Sequence, residues 1–214
     1  MTILDLAPAH APAVEGGATQ RIVDAALRCA ARWGVSKTTL DDVAREAGCG
    51  RATLYRLFPG GRESLWDAVL ATETSRFFAR LSERAAVAAG LEDVVVCLIS
   101  EAANTLYDNA ALQFLLAHEP ELVVSHLAFH RGDAVLRRIS DEVGPLMAPW
   151  LAPGDDGDTV EPAARAAEWL ARLVISYSTS PADDVDLRHP DSVRRLVRQF
   201  VLPGLRPALS VSIT

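Results

Sequence analysis

Apolar residues recur every three to four positions along most of this chain, which is the spacing of an amphipathic α-helix. Between residues 19 and 33 they form one helical face, and Gly34 follows as a stop signal. No segment alternates apolar and polar residues in the way that a half-buried β-strand does. The pattern therefore predicts an all-α fold.

A more specific pattern occupies residues 38–65, which are predicted to form a short helix, a glycine turn, a second short helix and the start of a third. Thr39 and Asp42 have the spacing of a capping box, which marks a helix start. Gly48 follows that helix where a left-handed cap favours glycine. Gly50 then opens two further helical turns. The segment therefore predicts a helix-turn-helix.

The second short helix has few residues to bury, and its outer face is polar. Its inward candidates are Leu54, Leu57 and Phe58. An exposed two-turn helix with two arginines, a threonine and a tyrosine is chemically suited to the major groove of DNA. The residues left for the outer face are Arg51, Ala52, Thr53, Tyr55 and Arg56.

Further helices are predicted after this segment, separated by proline, glycine and polar breaks. Residues 1–18, which are rich in Ala, Pro and Gly, are predicted to be a disordered arm. The predicted helices cover residues 62–89, 91–107, 110–117, 123–150 with room for a break near Gly132 or Gly144, 161–178 and 190–205.

Charge is distributed unevenly along the chain. The net charge is -7, but residues 19–65 carry eight basic and five acidic side chains, a net charge of +3, whereas the remainder carries -10. A basic head on an acidic body fits a protein that binds DNA with one end only.

The three cysteines, Cys29, Cys49 and Cys97, form no C-x-x-C motif, which favours a reducing cytoplasm over a disulfide framework. The start of the chain lacks the pattern of a secretory signal. The apolar run around Cys97 is short and is interrupted by Glu101, so no membrane span is expected.

The helix-turn-helix segment resembles the DNA-binding domain of TetR-type transcriptional regulators. The resemblance lies in Thr-Leu-Asp-Asp-Val-Ala, the Ala-Gly turn and Ala-Thr-Leu-Tyr-Arg-Leu-Phe-Pro, preceded by an alanine-rich helix ending at Trp33-Gly34. It covers about residues 19–70. It implies about nine helices: a three-helix DNA-binding domain at residues 19–65, then a helical ligand-binding and dimerisation domain at residues 66–214.

The resemblance also implies roles for single residues. Thr39 and Tyr55 should contact phosphates, and Ala52 could pack against a thymine methyl group. Arg51, Thr53 and Arg56 are the best candidates to approach base edges, because arginine can pair bidentately with guanine. The full predicted DNA-binding set is Lys37, Thr38, Thr39, Arg51, Ala52, Thr53, Tyr55, Arg56 and Arg62.

Two positions depart from the family pattern. Gly50 stands where the family usually has Ser or Thr, and Gly60-Gly61-Arg62-Glu63 replaces a shorter Ser-Lys step. Arg62 is expected to take the place of that lysine and to bind phosphate at the start of the third of these helices.

Large apolar residues of the body could form an ordinary core, or some could line the effector cavity that the resemblance implies. Their number favours a lipid-like or aromatic effector. His126 and His130 also have the spacing of a metal pair, with His118 upstream, although the alternative is polar groups lining a cavity. No metal or cofactor is predicted. The candidate ligand-binding residues are Asn104, Tyr107, Phe114, His118, His126, Phe129, Trp169 and Tyr177.

The last two predicted helices carry stripes that could pair within the chain or between two chains. The resemblance implies a homodimer through a four-helix bundle, and two-fold symmetry then requires a near-palindromic operator. The stripes are Ala163, Ala164, Ala166, Ala167, Leu170, Ala171 and Val174 in one helix, and Val193, Leu196, Val197, Phe200 and Val201 in the other.

An enzyme, such as a helical lipid hydrolase, would need a convergent nucleophile and base, and no G-x-S-x-G elbow is present. A protein-interaction adaptor without DNA affinity is the other alternative. The favoured function is a sequence-specific, cytoplasmic DNA-binding regulator of transcription. It would be a repressor that leaves operator DNA when a hydrophobic effector binds.

Overall fold

The computed structural model describes residues 16–118, 132–151 and 160–205. Its contacts divide the chain into two compact units. In the first, which we call the head unit, lie the described residues up to Arg76 and those of 108–118. In the second, the body unit, lie residues 77–107 and the described residues after 131. The boundary after Arg76 falls inside a single helix.

The head unit is built from short helices around a compact apolar core. Helix α1 packs against both α2 and α6. The core contains side chains from α1 to α4, including Ile22, Val43, Leu54 and Trp66. The helices are α1 (Gly17–Trp33), α2 (Leu40–Glu46), α3 (Arg51–Leu57), the first part of α4 (Arg62–Ala85), and α6 (Ala110–His118).

The body unit contains longer helices and a second core. Helix α7 packs closely on α8 at Gly144. The helices are so near each other there that a Cβ atom added to Gly144 would lie 3.2 Å from the Cα of Ala164. Within the described residues there is no β-strand, only one isolated bridge between Ala182 and Val185. The helices are the rest of α4, α5 (Leu91–Asp108), α7 (Gly132–Met147), α8 (Val160–Thr179), α9 (Pro190–Leu196), a π-helical turn (Val197–Val201) and α10 (Leu202–Leu205).

The all-α prediction is confirmed, with small shifts at the helix ends. Helix α1 begins two residues before Thr19, and α4 ends at Ala85 rather than at Ala89. Beyond Ala85 the chain tightens into a turn in which the Ala88 N–H donates to the Ala85 carbonyl at 3.1 Å. The start of the helix predicted at 123–150 lies outside the described residues, and so does most of the arm predicted at 1–18.

The stripes proposed for dimerisation are used mainly inside the chain. Most of the small and apolar residues of α8 belong to the core of the body unit, and the same holds for those of the terminal helices. The exceptions are Ala164 and Ala171, which are half-buried, and Phe200, which is 61 % exposed. Packing within the chain therefore accounts for most of the pattern that had suggested a dimer surface.

No helix in the described part of the chain is long and apolar enough to cross a lipid bilayer.

Candidate nucleic-acid interface

Helix α2 begins with the predicted capping box. The Thr39 hydroxyl accepts a hydrogen bond from the Asp42 N–H at 3.2 Å, and the Thr39 N–H donates to the Asp42 carboxylate at 3.2 Å. The Thr39 hydroxyl also donates to the Asp42 carboxylate, and this bond first, then the one from the Thr39 N–H, holds the pKa of Asp42 below its usual value. Because the cap satisfies backbone donors at the exposed helix start, it fixes where α2 begins.

The turn after α2 depends on a left-handed residue. Gly48 has φ +64°, and its N–H donates to the Arg45 carbonyl at 3.2 Å. The next N–H, from Cys49, donates to the Ala44 carbonyl at 2.9 Å. This pair of bonds is a Schellman motif, which ends a helix and reverses the chain. Gly48 therefore sets the angle at which α3 leaves α2.

Helix α3 is anchored by a narrow apolar contact. Leu54 is 1 % exposed, and Phe58, directly after the helix, is also buried in the head core. The remaining side chains are exposed apart from Thr53 and Leu57, which are half-buried. The helix thus turns a polar face to solvent while two apolar side chains hold it in place.

The exposed face of α3 has the chemistry of a groove-binding surface. Tyr55 is 52 % exposed, so its ring and hydroxyl are available for contacts outside the molecule. Arg56 and Ala52 are exposed beside it. The Arg51 guanidinium forms an ion pair with the Asp41 carboxylate of α2, and its side chain remains 72 % exposed. The outward placement expected for Arg51, Ala52, Tyr55 and Arg56 is therefore present.

The loop between α1 and α2 corrects one prediction. Thr38 is 1 % exposed, and its hydroxyl donates to the Gly34 carbonyl at 2.7 Å. Its side chain is therefore enclosed by the protein and is not placed to contact DNA in this conformation. Lys37 and Thr39, on either side of it, are exposed.

Arg62 differs from its expected role as well. Its guanidinium is half-buried and donates to the backbone carbonyls of Val35 and Thr38, with a longer contact of 3.4 Å to the Ser36 carbonyl. Its carbon Cζ lies 5.9 Å from the centre of the Trp66 ring. The sequence suggested a phosphate contact here, whereas the structure shows an arginine bound to the protein's own backbone.

Two ion-pair groups that the sequence did not reveal hold the head together. Glu46 accepts from Arg28 at 2.6 Å and from Arg32 at 3.2 Å, which joins α2 to α1. The hydrogen bond from Arg28 is the first cause that lowers the pKa of Glu46. Arg76 binds Asp24 at 2.9 Å and so ties α4 to α1. Helical spacing could not pair these residues, because the partners lie on different helices.

The predicted ligand-binding residues that the structure describes are divided between the two units. Phe114 and His118 of the head unit stack with ring centres 4.2 Å apart. In the body unit, Tyr107 has the Arg188 guanidinium 5.5 Å from its ring centre. Asn104 and Tyr177 are half-buried, Trp169 is 41 % exposed, and His126 and Phe129 lie outside the described residues.

Sequence reasoning also missed three polar groups buried in the body unit. Glu101 of α5 accepts from Arg80 and Arg84 of α4, both at 3.1 Å. The hydroxyls of Ser100 on α5 and Ser178 on α8 are buried without a hydrogen-bond partner among the described residues. No three His, Cys, Asp or Glu side chains cluster in the described part of the chain, and His126 and His130 lie outside it.

Comparison with known proteins decides the family. Residues 22–69, which contain α2, the Gly48 turn and α3, match the profile described as bacterial regulatory proteins of the tetR family. Residues 22–69 thus form a DNA-binding domain of the TetR family. Along most of its length it also resembles Rv1255c, an HTH-type transcriptional regulator of Mycobacterium tuberculosis. The two are 28 % identical over 194 residues, which cover 89 % of this chain and 87 % of that protein.

Solved TetR-like structures share the fold of most of the chain. The TetR family repressor AlkX from Dietzia sp. strain DQ12-45-1b, implicated in biodegradation of n-alkanes, is 20 % identical with a TM-score of 0.59 and covers 86 % of this chain and 94 % of its own. FadR from Bacillus subtilis, solved in complex with stearoyl-CoA, is 17 % identical with a TM-score of 0.56 and covers 83 % and 96 %. The TetR family and Rv1255c are transcriptional regulators, not enzymes, and this chain is a DNA-binding regulator of the same kind.

Proposed function

We propose that this protein is a repressor that binds a near-palindromic operator as a homodimer in the cytoplasm and releases it when a hydrophobic effector binds. The observation that carries the proposal is the outward face of α3, where Arg51, Tyr55 and Arg56 are exposed on a helix held by Leu54. A short exposed helix of this composition enters the major groove in helix-turn-helix proteins.

On this proposal the side chains divide into two groups. Arg51 and Arg56 read base edges, because a guanidinium can donate two parallel hydrogen bonds to guanine. Tyr55, Thr39 and Lys37 contact phosphates and set the position of the helix in the groove. When DNA binds, the Arg51 guanidinium must break its ion pair with Asp41 or share its N–H donors between that carboxylate and the DNA. The ion pair therefore opposes binding to sequences other than the operator.

The dimer surface is proposed to lie on α8 and the terminal helices. Trp169 of α8 and Phe200 of the terminal segment are large apolar side chains that the monomer leaves exposed. Exposed aromatic residues are the usual anchors of protein interfaces. Two-fold symmetry through these helices would give two recognition helices, which dock together when the two half-site centres lie about 34 Å apart.

The effector is proposed to be a lipid-like molecule bound in the body unit. AlkX and FadR, whose folds this chain shares, support an apolar ligand, since FadR was solved with stearoyl-CoA. The buried hydroxyls of Ser100 and Ser178, which have no hydrogen-bond partner among the described residues, support a site with polar anchors. A buried hydroxyl without a partner costs about 1–3 kcal/mol, and a ligand that supplies the partner would recover part of that free energy.

Helix α4 is proposed to couple the effector to the head. Its first part, up to Arg76, belongs to the head unit, where Leu65 and Trp66 are buried and Arg76 binds Asp24. Its second part belongs to the body unit, where Leu81 is buried and Arg80 binds Glu101. A shift of this helix on effector binding would change the separation of the two heads. Coupling of this kind is typically about 1–3 kcal/mol.

The DNA proposal is tested by selecting bound fragments from random duplex DNA with the purified chain. The expected product is a pair of inverted half-sites with centres about one helical repeat, 34 Å, apart. Enrichment of no sequence at low salt would contradict sequence-specific binding.

The effector proposal is tested with stearoyl-CoA, stearic acid and n-hexadecane as separate probes, measuring the melting temperature and operator affinity. An effector should raise the melting temperature and weaken operator binding in the wild type. Ser100→Ala and Ser178→Ala should each fold at least as stably as the wild type, because each removes a buried hydroxyl with no partner among the described residues. When an effector is added, both variants should show smaller shifts in melting temperature and operator affinity than the wild type. If no probe shifts either quantity, a lipid-like effector is excluded.

A further inference from the structure

We infer that Arg62 is a positioning residue of the DNA interface, which fastens the loop before α2 to the start of α4 and so fixes Thr39. It would not contact phosphate itself. The inference rests on the proposed contact of Thr39 with DNA and deepens it, because it names what holds that residue in place.

The contacts of Arg62 are all within the head unit. One nitrogen, Nη1, donates to the Thr38 carbonyl, and the other, Nη2, donates to the carbonyls of Val35 and Ser36. The guanidinium carbon Cζ lies 5.9 Å from the centre of the ring of Trp66, which is buried in the head core. An arginine fork can bridge separate carbonyls in this way because its donors are fixed in one plane.

The fastened loop leads directly into the N-terminus of α2. Thr38, whose carbonyl Arg62 binds, is buried and bonded through its hydroxyl to Gly34. The next residue, Thr39, is the N-cap of α2 and is exposed. Holding the Thr38 carbonyl therefore restrains the residue that is expected to meet the phosphate backbone.

The turn before α4 directs the Arg62 side chain towards this loop. Gly61 adopts φ +66°, a left-handed turn directly before the arginine, and its N–H donates to the Phe58 carbonyl at 2.8 Å. A residue other than glycine would be strained in that conformation. Gly61 belongs to the step in which this chain departs from the shorter family pattern, and it immediately precedes the arginine that turns inward.

The two possible roles of Arg62, a phosphate contact and a clamp on backbone carbonyls, lead to opposite predictions for a lysine at this position. A phosphate contact needs one positive charge within reach, and lysine supplies it. A clamp on carbonyls of different residues needs the planar fork, which lysine lacks. Arg62→Lys is therefore the informative variant, with Arg62→Ala beside it and Lys37→Ala as a control for an exposed cation proposed to contact phosphate.

The experiment measures operator affinity against salt concentration for each full-length variant, corrected for the folded fraction. We expect Arg62→Lys and Arg62→Ala to weaken binding by about fivefold or more with an unchanged salt slope. Lys37→Ala should reduce the slope by about one. If Arg62→Lys binds like the wild type while Arg62→Ala lowers the slope by about one, Arg62 is a phosphate contact and the inference is overturned.

Two further readouts separate positioning from a general loss of stability. Arg62→Lys should increase hydrogen exchange in residues 35–40, and its effect on affinity should be non-additive with that of Thr39→Ala. Additive effects, or normal affinity per folded molecule, would overturn the inference. If Arg62→Ala does not fold, Arg62→Lys decides alone. Failure of the wild type to bind any DNA would refute the proposed function instead, and the exchange of residues 35–40 would still test the clamp.

Discussion

Two glycines in the helix-turn-helix should respond in opposite directions to the same substitution. Gly48 has φ +64°, whereas Gly50 has φ -75° and is the N-cap of α3. A Cβ at either position would meet no atom within 4 Å, so steric contact does not distinguish them. The difference lies in backbone conformation and capping alone.

The magnitudes follow from that difference. A serine forced into the left-handed region costs about 1–2 kcal/mol, and the reduced freedom of the unfolded chain offsets only part of this, so Gly48→Ser should destabilise the head by about 1 kcal/mol. Gly50→Ser adopts an unstrained conformation and can cap α3, so it should stabilise by about 0.5–1 kcal/mol. The two variants should then differ by about 1.5–2 kcal/mol, roughly a factor of 10–30 in an equilibrium constant.

Native-state hydrogen exchange of the full-length chain is the suitable assay, because it reports on the amides of α2 and α3 separately from the body unit. Gly48→Ser should lower their protection, and Gly50→Ser should maintain or raise it. Gly48→Asn should lose less protection against exchange than Gly48→Ser, since asparagine tolerates the left-handed region better than serine. Equal effects of the two serine variants, or normal protection in Gly48→Ser, would refute the reasoning about this turn.

Three other predictions concern the interface, the cap and the dimer. Asp41→Asn removes the partner of Arg51 and a negative charge near DNA, so affinity for random duplex DNA should rise several-fold in a filter-binding titration; an unchanged affinity would show that the ion pair does not oppose binding. The lowered pKa of Asp42 stabilises the head at pH values above 3.8, the ordinary pKa of the carboxyl group. This contribution to stability is lost as the pH falls through the lower pKa of the folded state. Thermal melts of Asp42→Asn should therefore depend less on pH in the acid range than those of the wild type, and parallel curves would contradict this. Trp169→Ala and Phe200→Ala should each weaken dimerisation in sedimentation equilibrium, Trp169→Ala by about 2 kcal/mol if it is an interface anchor, whereas a wild-type dimer in both would place the interface elsewhere.

The helix-turn-helix was predictable because its determinants are local. The capping box of Thr39 and Asp42, the left-handed Gly48 and the outward face of α3 each follow from a few neighbouring residues. Backbone conformation at caps and turns depends on such short-range chemistry. The spacing of apolar residues similarly predicted most of the helices.

What the sequence did not reveal depends on contacts between distant residues. Arg62 has the right charge for phosphate, and only the path of the chain shows that the carbonyls of Val35 and Thr38 lie within its reach. The small residues of α8 suggested close packing against a partner chain. In the structure, the close contact is with Gly144 of α7 in the same chain. Periodicity shows that a face is apolar, but it does not show which surface covers that face.

The most direct test of the account is the base preference of the recognition helix. Binding sites should be selected from random duplex DNA with the wild type, Arg51→Ala, Arg56→Ala and the control Arg137→Ala, which removes an exposed arginine of α7. We expect the first two variants to lose about 1–3 kcal/mol of binding free energy each and to relax the preference at separate base positions, while Arg137→Ala selects the wild-type sequence. If Arg51→Ala and Arg56→Ala both enrich the wild-type sequence with unchanged affinity, α3 does not read the operator and the central claim is contradicted.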